Sequence, residues 1–435
     1  MKKIGIFGSY NYKSIGDTAI LESMVSDLIE RDKNISIVIF TSDPENLKKY
    51  FSEYKYAVLK LNFVNSLPIV YSTEKKVFSR ESNKSNATKI RIRLKNKLKG
   101  NKLIYRSFKK LKNFSEKIYF DIFVILRYIT FWKRIACEIK NLNLLIIGGG
   151  NLLMDMFYRW PIYLFIYSFI AKLCKTTMIL YAVGVGPINT FRGKVYIKMC
   201  CRIAKSVTTR DYDSKLILEK MGIGKELISA ADPAICLNAG IKKRTKKIGI
   251  SFVPYFDSRY WPNPDEIVYK EYVKVMGNII NKFLSIYKYD IVFFASNFPR
   301  DFKTSIDVYE KIFFKDRVSI VEKQLKAREI ISLVSSFELL ISSRLHSIIF
   351  SAIAKTPFIA IAYQPKVNSF CKALSMEDYV IDLDKNVNIN VNEFLNKVLY
   401  VLNNKKSIEL KLDQGVRELR KLNNLNSDIV FSVLK

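Results

Sequence analysis

Two side chains that could do chemistry together stand in the segment 342–347 (SSRLHS). Arg344 carries a planar cation that can form two parallel hydrogen bonds to a carboxylate or a phosphate. His346 is the only histidine of the chain, and imidazole is the side chain whose ordinary pKa lies nearest to neutral pH. Because only one residue separates them, both can reach one ligand from a single turn. The segment therefore predicts an anion site with a group for proton transfer, and a surface arginine beside a packed histidine is the alternative.

The elements around this segment favour the functional interpretation. Residues 337–341 (FELLI) predict a short buried strand, residues 348–354 (IIFSAIA) a buried helix, and residues 357–363 (PFIAIAY) the next strand. The segment would then lie on a strand-to-helix turn, where a parallel α/β sheet places its ligands. Free backbone N–H groups at the start of a helix also attract anions.

The composition of the chain restricts its partners. It has 435 residues, with 72 Lys and Arg against 40 Asp and Glu, which gives a formal charge of +32. Such an excess favours anionic partners, namely nucleic acid, acidic lipid, or substrates with phosphate or carboxylate groups. The six cysteines form no C-x-x-C pair, and a single histidine leaves no ordinary zinc site, so we expect no metal ion.

Signals for export or membrane insertion do not appear in the sequence. The N-terminus (MKKIGIFGSYN) is typical of a first strand and lacks the apolar core and cleavage site of a signal peptide. No apolar run reaches the ~20 residues that a spanning helix needs. Scattered thiols in apolar segments fit a reducing compartment. We expect a cytoplasmic protein, and we leave open a position at the inner face of the cell membrane.

The first residues predict a Rossmann-like opening. A strand at 2–8 (KKIGIFG), a helix from about 17 to 31 and a strand at 35–41 (ISIVIFT) follow one another. The loop after the first strand is not G-x-G-x-x-G, so the dinucleotide fingerprint is absent. Asp17 would stand at the start of the helix, as a cap or as an acid of the first turn.

Glycines close a later strand of the same half. Residues 142–150 (LNLLIIGGG) predict a buried strand that ends in Gly148, Gly149 and Gly150. Glycines let a backbone approach a ligand closely, and a tight turn between strand and helix is the alternative. The short strand at 207–211 (VTTRD) ends in an Arg-Asp pair.

A basic insertion at about 72–140 interrupts this pattern. Residues 84–112 are rich in Lys, Arg and Asn and contain no acidic residue, so we expect them to be mobile without substrate. Residues 114–135 add aromatic and apolar side chains. Such a stretch could lie on an anionic membrane surface or cover the active cleft.

Domain boundaries follow from the charge pattern. The segment 242–247 (KKRTKK) reads as a linker between two α/β units. We expect an N-terminal domain at 1–241, a C-terminal domain at 247–390, and C-terminal helices at 391–435 that pack back onto the first domain.

Several short segments, taken in their order along the chain, resemble the polysaccharide pyruvyl transferase family. The matching segments are 8–17 with its closing Ile15-Gly16-Asp17, 146–150 (IIGGG), 183–187 (VGVGP), 209–211 (TRD), 231–233 (ADP), 343–346 (SRLH), and Tyr363 with Lys366. The resemblance implies an α/β fold of two Rossmann-like domains facing across a cleft, as in GT-B glycosyltransferases. It implies the acceptor on the N-terminal side and the donor on the C-terminal side.

The resemblance also implies a reaction. Pyruvate would pass from phosphoenolpyruvate, a co-substrate with no further cofactor, to sugar hydroxyls. The product would be a pyruvate ketal on a surface polysaccharide or on its lipid-linked precursor. Arg344 and His346 match the donor-site arginine and histidine of the family.

The residues themselves suit this chemistry. A donor with a carboxylate and a phosphate needs cations and free N–H groups, and a proton transfer to carbon suits a histidine. We expect His346 and Asp17 to be catalytic, with Asp211 as an alternative base and a helix cap or a salt bridge as the structural alternative for either carboxylate. The candidate substrate-binding residues are Arg344, Arg210, Lys366, Asn11, Gly148, Gly149, Gly150 and Ser343.

Two other function classes stay open from the sequence. A GT-B glycosyltransferase that uses a nucleotide sugar would need the same α/β halves, glycine turns and basic cleft. A non-catalytic protein that binds an anionic membrane or nucleic acid would explain the charge of +32. The sequence contains no known nucleic-acid motif, so we expect no specific nucleic-acid partner.

Overall fold

Two parallel β-sheets, each packed against helices, form the frame of the protein in this computed structural model. The structure describes residues 1–52, 61–66, 126, 128–157, 159–261 and 263–434. Two parallel-sheet domains confirm the predicted α/β class. The predicted mobile stretch at 84–112 lies outside the described residues, as does most of the basic insertion.

The first sheet has seven parallel strands in the order β3-β2-β1-β4-β5-β6-β7. The strands are β1 (Lys2–Phe7), β2 (Ile35–Thr41), β3 (Leu61–Asn65), β4 (Leu144–Leu153), β5 (Thr177–Val185), β6 (Val207–Thr209) and β7 (Leu227–Ser229). Every residue of β2 is buried, because helices cover both faces of the sheet. This burial is why the strand can be read from sequence as one continuous apolar run.

Helices fill the connections of the first half. They are α1 (Ile15–Arg31), α2 (Pro44–Ser52), α3 (Ile129–Lys140), α4 (Trp160–Leu173), α5 (Phe191–Ile203) and α6 (Tyr212–Lys220). Helix α1 begins two residues earlier than the sequence pattern predicts, and its apolar stripe of Ile20, Met24 and Leu28 is buried. In the part of the chain that the structure describes, no helix is both long enough and apolar enough to cross a membrane.

The second sheet has six parallel strands in the order β10-β9-β8-β11-β12-β13. The strands are β8 (Lys247–Ser251), β9 (Asp290–Phe293), β10 (Val318–Ile320), β11 (Leu339–Ser342), β12 (Phe358–Ala362) and β13 (Val380–Asp382). The helices are α7 (Glu266–Ile286), α8 (Arg300–Tyr309), α9 (Ala327–Ser335), α10 (Leu345–Ile353) and α11 (Pro365–Ala373). The segment that carries Arg344 and His346 thus joins β11 to α10, as predicted.

The C-terminal residues form two helices, α12 (Val391–Asn403) and α13 (Lys405–Leu434). Helix α13 packs back onto the first half, as the sequence analysis expected. The hydroxyl of Thr208 donates to the amide oxygen of Asn426 over 2.5 Å. The guanidinium of Arg31 pairs with the carboxylate of Asp428, also over 2.5 Å. The last helix therefore ties the two halves together on the side of β6 and α1.

The two halves also touch where α1 begins. The backbone N–H of Ile15 donates to the carbonyl of Ser296 over 3.3 Å. The side-chain amide of Gln324 donates to the carbonyl of Tyr12 over 2.5 Å. These contacts set the loop before α1 against the loops that follow β9 and β10, and they hold the two halves together beside the cleft.

Candidate active site

A cleft of about 450 Å³ lies between the halves, at the carboxyl ends of the strands of both sheets. The loops after β1, β4 and β6 border it from the first half, and the loops after β9, β11 and β12 border it from the second. Parallel α/β sheets bind ligands at this edge because loops and helix N-termini gather there. The sequence-predicted residues that line it are Asn11, Asp17, Gly150, Arg210, Arg344, His346 and Lys366.

His346 lies at the contact between the two halves, where a glycine leaves room for its ring. It is the second residue of α10, and its ring lies against Gly16 at the start of α1. A Cβ added to Gly16 would stand only 2.0 Å from Nδ1 of His346, so any larger residue would push the ring or the helix away. The close approach explains why a glycine is needed inside the first turn of α1.

The other ring nitrogen of His346 faces a carboxylate. Nε2 lies 3.9 Å from Oδ2 of Asp232, and each of these two buried atoms lacks a hydrogen-bond partner. Nη1 of Arg210 lies 3.9 Å from the same oxygen. Buried polar atoms are normally satisfied, so this gap is a place where a small movement or a ligand would complete a hydrogen bond.

The surroundings keep His346 neutral in this structure. Burial lowers its pKa to about 3, and the cations of Arg210, Lys366 and Arg344 act in the same direction. Burial raises the pKa of Asp232, although Arg210 opposes this effect. An anion placed among the three cations would offset their repulsion of a proton on the imidazole and so raise the pKa of His346.

Asp17 is the second titratable group of the cleft. It stands in the first turn of α1 and does not cap the helix, since Ser14 holds the N-cap position. Burial raises the pKa of Asp17 to about 6, against a hydrogen bond from Ser14 and the charge of Lys366. A Cβ on Gly150 would lie 3.5 Å from Oδ1 of Asp17, so the glycine turn borders this carboxyl group. Asp17 can therefore exchange a proton near neutral pH.

Arg344 is already paired through the edge that we expected to bind a ligand. Its Nε donates to Oδ2 of Asp301 over 3.0 Å, and its Nη2 donates to Oδ1 of the same carboxylate. Asp301 is fully buried, and the guanidinium also lies over the ring of Tyr260 at 5.0 Å. The expectation of a two-pronged ligand contact is corrected for this edge, because Asp301 fixes the guanidinium there. The side chains of Tyr260 and Tyr363 also hydrogen-bond Arg344.

Arg210 and Lys366 bring two further cations to the cleft. Nε of Arg210 donates to Oδ2 of Asp211 over 3.2 Å, and the guanidinium packs so closely on Gly184 that a Cβ there would lie 2.7 Å from Cζ. Lys366 stands in the first turn of α11. Burial lowers the pKa of Lys366, as do Arg210 and Arg344. The repulsion among these cations would be relieved by a bound anion.

The three predicted glycines have different surroundings. A Cβ on Gly148 would lie 2.4 Å from the carbonyl oxygen of Tyr181, and a Cβ on Gly149 would lie 2.2 Å from Ile20. Gly149 and Gly150 have φ angles of 72° and 81°, which are left-handed values inside β4. The strand continues to Leu153, beyond the end at Gly150 that the sequence predicted, and its register with β5 shifts after Gly150. Of the three, Gly150 borders the cleft, while Gly148 and Gly149 pack inside the first half.

Ser343 and Asn11 also differ from each other. Ser343 is buried, its N–H donates to the carbonyl of Ser251, and its hydroxyl lies 3.5 Å from that of Tyr272, away from the cleft lining. It is a packing residue in this structure, which corrects its predicted place in the substrate site. Asn11 lines the cleft, and its Oδ1 accepts a hydrogen bond from the N–H of Lys13 that shapes the loop.

Three helices begin at the cleft without a side-chain cap. The N-cap residues are Ser14 for α1, Arg344 for α10 and Gln364 for α11, and none of their side chains caps the backbone N–H groups of the first turn. The N–H of Ile15 in α1 already donates to the carbonyl of Ser296, and the other first-turn N–H groups of these helices have no partner within their own helix. Together with the cations, they make this edge suited to a ligand with several negative charges.

A second chamber of about 500 Å³ adjoins the first. Six residues line both chambers and so border the passage between them, namely Asn151, Met156, Arg210, Tyr363, Gln364 and Lys366. The second chamber has a different character, because its other walls are largely apolar and aromatic and carry three carboxylates. These walls include Val185, Ile217, Phe256, Trp261, Leu383, Asp211, Asp213 and Asp384.

Sequence reasoning missed several residues of the site. Asp232 appeared only as part of the ADP segment, and its position opposite His346 was not expected. Asp301 and Tyr260 lie in segments without a recognisable pattern, although they hold Arg344 in place. Asp232 lies just past the carboxyl end of β7, and this position could have marked it as a candidate site residue.

Solved structures with a similar fold support the two-domain architecture. A UDP-GlcNAc 2-epimerase from Neisseria meningitidis, bound to UDP-GlcNAc, is 11% identical, with 100% of both chains covered and a TM-score of 0.56. A UDP-GlcNAc 2-epimerase from Methanocaldococcus jannaschii is 13% identical, with 93% of each chain covered and a TM-score of 0.53. At such identities the likeness concerns the fold, which is that of the GT-B group.

The sequence comparisons identify the family. The amylovoran biosynthesis protein AmsJ of Erwinia amylovora is 24% identical over 320 residues, which are 68% of this chain and 74% of AmsJ. The family model described as polysaccharide pyruvyl transferase matches residues 15–365, a span that contains most of the residues that line the cleft. The chain therefore belongs to the polysaccharide pyruvyl transferase family.

Proposed function

We propose that this transferase moves pyruvate from phosphoenolpyruvate to two hydroxyls of a sugar and so forms a pyruvate ketal. The observation that supports the proposal most is the charge of the first chamber. Its lining cations are Lys13, Arg210, Arg300, Arg344 and Lys366, and Asp17 is the one carboxylate among the described residues that line it. A donor with a carboxylate and a phosphate matches this surplus of positive charge.

The donor would bind beside His346. Arg210, Lys366 and Arg344 would contact its anionic groups, together with the N–H groups at the start of α10. Its negative charge would raise the pKa of His346 from about 3, since it would offset the three cations that lower it. Binding of the donor would thus give the imidazole the proton that the reaction needs.

The proposed reaction balances without any added oxidant or reductant. His346 would protonate C3 of phosphoenolpyruvate, and C2 would become cation-like and accept the oxygen of a first sugar hydroxyl. Phosphate would then leave C2, and the oxygen of a second hydroxyl would take its place. Of the two hydroxyl protons, one would be taken up by Asp17 and passed to the departing phosphate, and the other would restore His346. We propose phosphoenolpyruvate as co-substrate, and no step calls on a cofactor or a metal ion.

Asp17 is the proposed base toward the attacking hydroxyl. With a pKa of about 6 it is ionised at neutral pH and can still accept a proton there. It reaches the cleft from the first half, whereas His346 reaches it from the second. The acid and the base would therefore stand on opposite walls. Asp211, the alternative base, accepts from the N–H of Ser214 and from Arg210, which suits a cap and a salt bridge.

The second chamber would hold the sugar acceptor. Aromatic walls such as Trp261 pack on the apolar faces of sugar rings, and carboxylates such as Asp213 accept hydrogen bonds from hydroxyls. The acceptor hydroxyl would meet the donor at the passage that Arg210, Tyr363 and Lys366 help to border. Because the relative from Erwinia amylovora is described as a biosynthesis protein for amylovoran, we propose a surface polysaccharide or its lipid-linked precursor as the acceptor.

A donor-binding assay tests this proposal against nucleotide-sugar transfer. The melting temperature of the protein should rise with phosphoenolpyruvate, because a ligand that binds only the folded state stabilises it. Phosphate should then be released in proportion to ketal formed when a cell-wall glycan fraction is added, as measured by mass spectrometry. A melting shift with UDP-sugars alone, accompanied by release of UDP, would instead assign the cleft to a glycosyltransferase.

A further inference from the structure

The first half contains a long stretch without acidic residues. Between Asp155 and Asp211 the chain has nine Lys and Arg residues and no Asp or Glu. This stretch includes helices α4 and α5, which pack against each other on the same side of the first sheet. The carboxylate of Asp155 accepts hydrogen bonds from the N–H groups of Asn189 and Thr190, so the acid at its border is already occupied. The surface of the two helices is therefore positive.

Large apolar side chains are exposed on the same two helices. On α5 they are Phe191, Val195 and Met199, which repeat every four residues and so share one face. On α4 they are Phe169 and Leu173, again four residues apart. Phe191 is 72% exposed and Leu173 is 66% exposed, which leaves most of both side chains in water. Exposed apolar side chains that are grouped on one surface mark an interaction site, whereas single scattered ones are normal.

Ring contacts join the two faces into one surface. The ring of Phe165 on α4 stacks on that of Tyr196 on α5 with 5.2 Å between their centroids, and on Phe169 with 5.6 Å. The guanidinium of Arg192 lies 5.2 Å from the centroid of Tyr196. Exposed cations surround the apolar side chains, namely Lys172, Lys175, Lys194, Arg202 and Lys205. We call the exposed side chains of α4 and α5 the α4–α5 surface.

We propose that the α4–α5 surface docks this protein on an anionic lipid membrane. The cations would approach acidic headgroups, and Phe169, Leu173 and Phe191 would enter the boundary between headgroups and acyl chains. Such a contact was one of two alternatives that the sequence left open for the basic insertion, whereas the surface proposed here lies on described helices. The proposal does not depend on the reaction, because it concerns a surface that contains no residue of the cleft.

The apolar side chains favour lipid over nucleic acid as the partner. A nucleic acid would be bound by the cations, and aromatic rings could stack on its bases. Aliphatic side chains such as Leu173, Val195 and Met199 gain no free energy from contact with phosphates or with water. They gain free energy in the acyl region of a membrane, where each buried CH₂ group is favourable. A surface of mixed cations and exposed aliphatic groups therefore fits a lipid surface better.

Vesicle sedimentation of the full chain tests the proposal. The probe is a vesicle of phosphatidylglycerol and phosphatidylcholine in equal parts, compared with phosphatidylcholine alone. Wild-type protein should sediment with the anionic vesicles only. The double variant Phe191→Ser with Leu173→Ser, and the charge variant Lys172→Glu with Lys194→Glu, should each weaken vesicle binding at least about tenfold. Both pairs are exposed, so the variants should fold normally, and the melting temperature checks this.

Matched controls separate this surface from the charge of the whole chain. Phe313→Ser with Leu410→Ser removes an aromatic ring and a leucine that are 84% and 72% exposed elsewhere. Lys406→Glu with Lys411→Glu, both exposed on α13, changes the net charge by the same amount as the charge variant. The proposal expects both controls to bind vesicles like wild type. Equal losses of vesicle binding in the controls and in the surface variants would overturn the proposal. A protein that binds single-stranded RNA but no vesicles, and whose surface variants no longer bind the RNA, would overturn it as well.

Discussion

At the scale of single residues, the proposed acid His346 faces the carboxylate of Asp232. Nε2 of the imidazole and Oδ2 of the carboxylate are 3.9 Å apart, and both are buried without a hydrogen-bond partner. A shift of about 1 Å would join them, since N–H···O hydrogen bonds are about 2.9 Å long. Asp232 would then orient the imidazole and stabilise its protonated form. We therefore regard Asp232 as a positioning residue for His346.

The substitution Asp232→Asn tests this role. Asparagine can still accept a hydrogen bond, but it cannot stabilise a positive imidazole by charge. The pKa of His346 in the donor complex should fall, so the loss of kcat on the alkaline side should begin at lower pH, and kcat near neutral pH should fall about tenfold or more. The control is Asp155→Asn, which removes a carboxylate that holds a loop. A lower melting temperature with an unchanged pH profile would show that Asp232 is only structural.

The residue scale also shows where sequence reasoning ends. Arg344 and His346 could be singled out from their chemistry alone, because an arginine and a lone histidine on a strand-to-helix turn form a local pattern. Asp301 binds Arg344 from 43 residues away, and no spacing rule predicts that pair. Ser343 points into the core beside Tyr272 although its neighbours point to the cleft. Side-chain direction within a turn depends on the packing that surrounds it.

At the scale of secondary-structure elements, prediction from sequence was most accurate where burial is complete. The strand at Ile35–Thr41 has the bounds that the sequence pattern predicts, and helix α1 ends at the predicted Arg31. Strands buried on both faces read as continuous apolar runs, and a helix on one face shows a 3.6-residue period. The meeting of α1 with α10 could not be predicted, since it depends on how the two halves pack.

The contact between α1 and α10 predicts the effect of Gly16→Ala. A methyl group there would lie 2.0 Å from Nδ1 of His346, so the ring and the helix start must separate. We expect a loss of about 1–3 kcal/mol in the free energy of unfolding, the usual range for overpacking, and a clear drop in kcat because His346 moves. Urea unfolding and steady-state kinetics measure the two effects.

The matched control for Gly16→Ala is Gly224→Ala. A Cβ on Gly224 would meet no atom within 4 Å, so this variant should keep the stability and kcat of wild type. If Gly16→Ala behaved like Gly224→Ala in both measurements, the close contact of His346 with α1 would matter neither for stability nor for kcat.

At the scale of the whole molecule, burial of His346 links stability to pH. Its pKa is about 3 in the folded protein and 6.5 ordinarily, so the unfolded chain binds more protons between these values. The free energy of unfolding should therefore fall as the pH falls below 6.5, and this group has no effect above that pH. Asp17 acts in the opposite sense between 3.8 and about 6, because its pKa is raised in the folded protein.

A comparison of wild type with His346→Gln isolates the contribution of the imidazole. Urea unfolding without donor at pH 7 and at pH 5 gives the free energy of unfolding for each protein. Wild type should lose more stability than the variant between the two pH values, since only wild type has a histidine to protonate on unfolding. Equal losses would mean that His346 is not held neutral by its surroundings.

The central claim is that the cleft binds an anionic donor and that His346 then gives a proton to this donor. The measurement that tests this most directly is pyruvyl transfer from phosphoenolpyruvate by the folded His346→Gln variant, with donor binding followed by the melting shift. Glutamine keeps a polar side chain of similar size but cannot titrate. The account predicts that the donor still binds and that turnover falls roughly 10²–10⁴-fold, the usual loss for a missing acid or base. Pyruvyl transfer by this variant at a rate near that of wild type would contradict it.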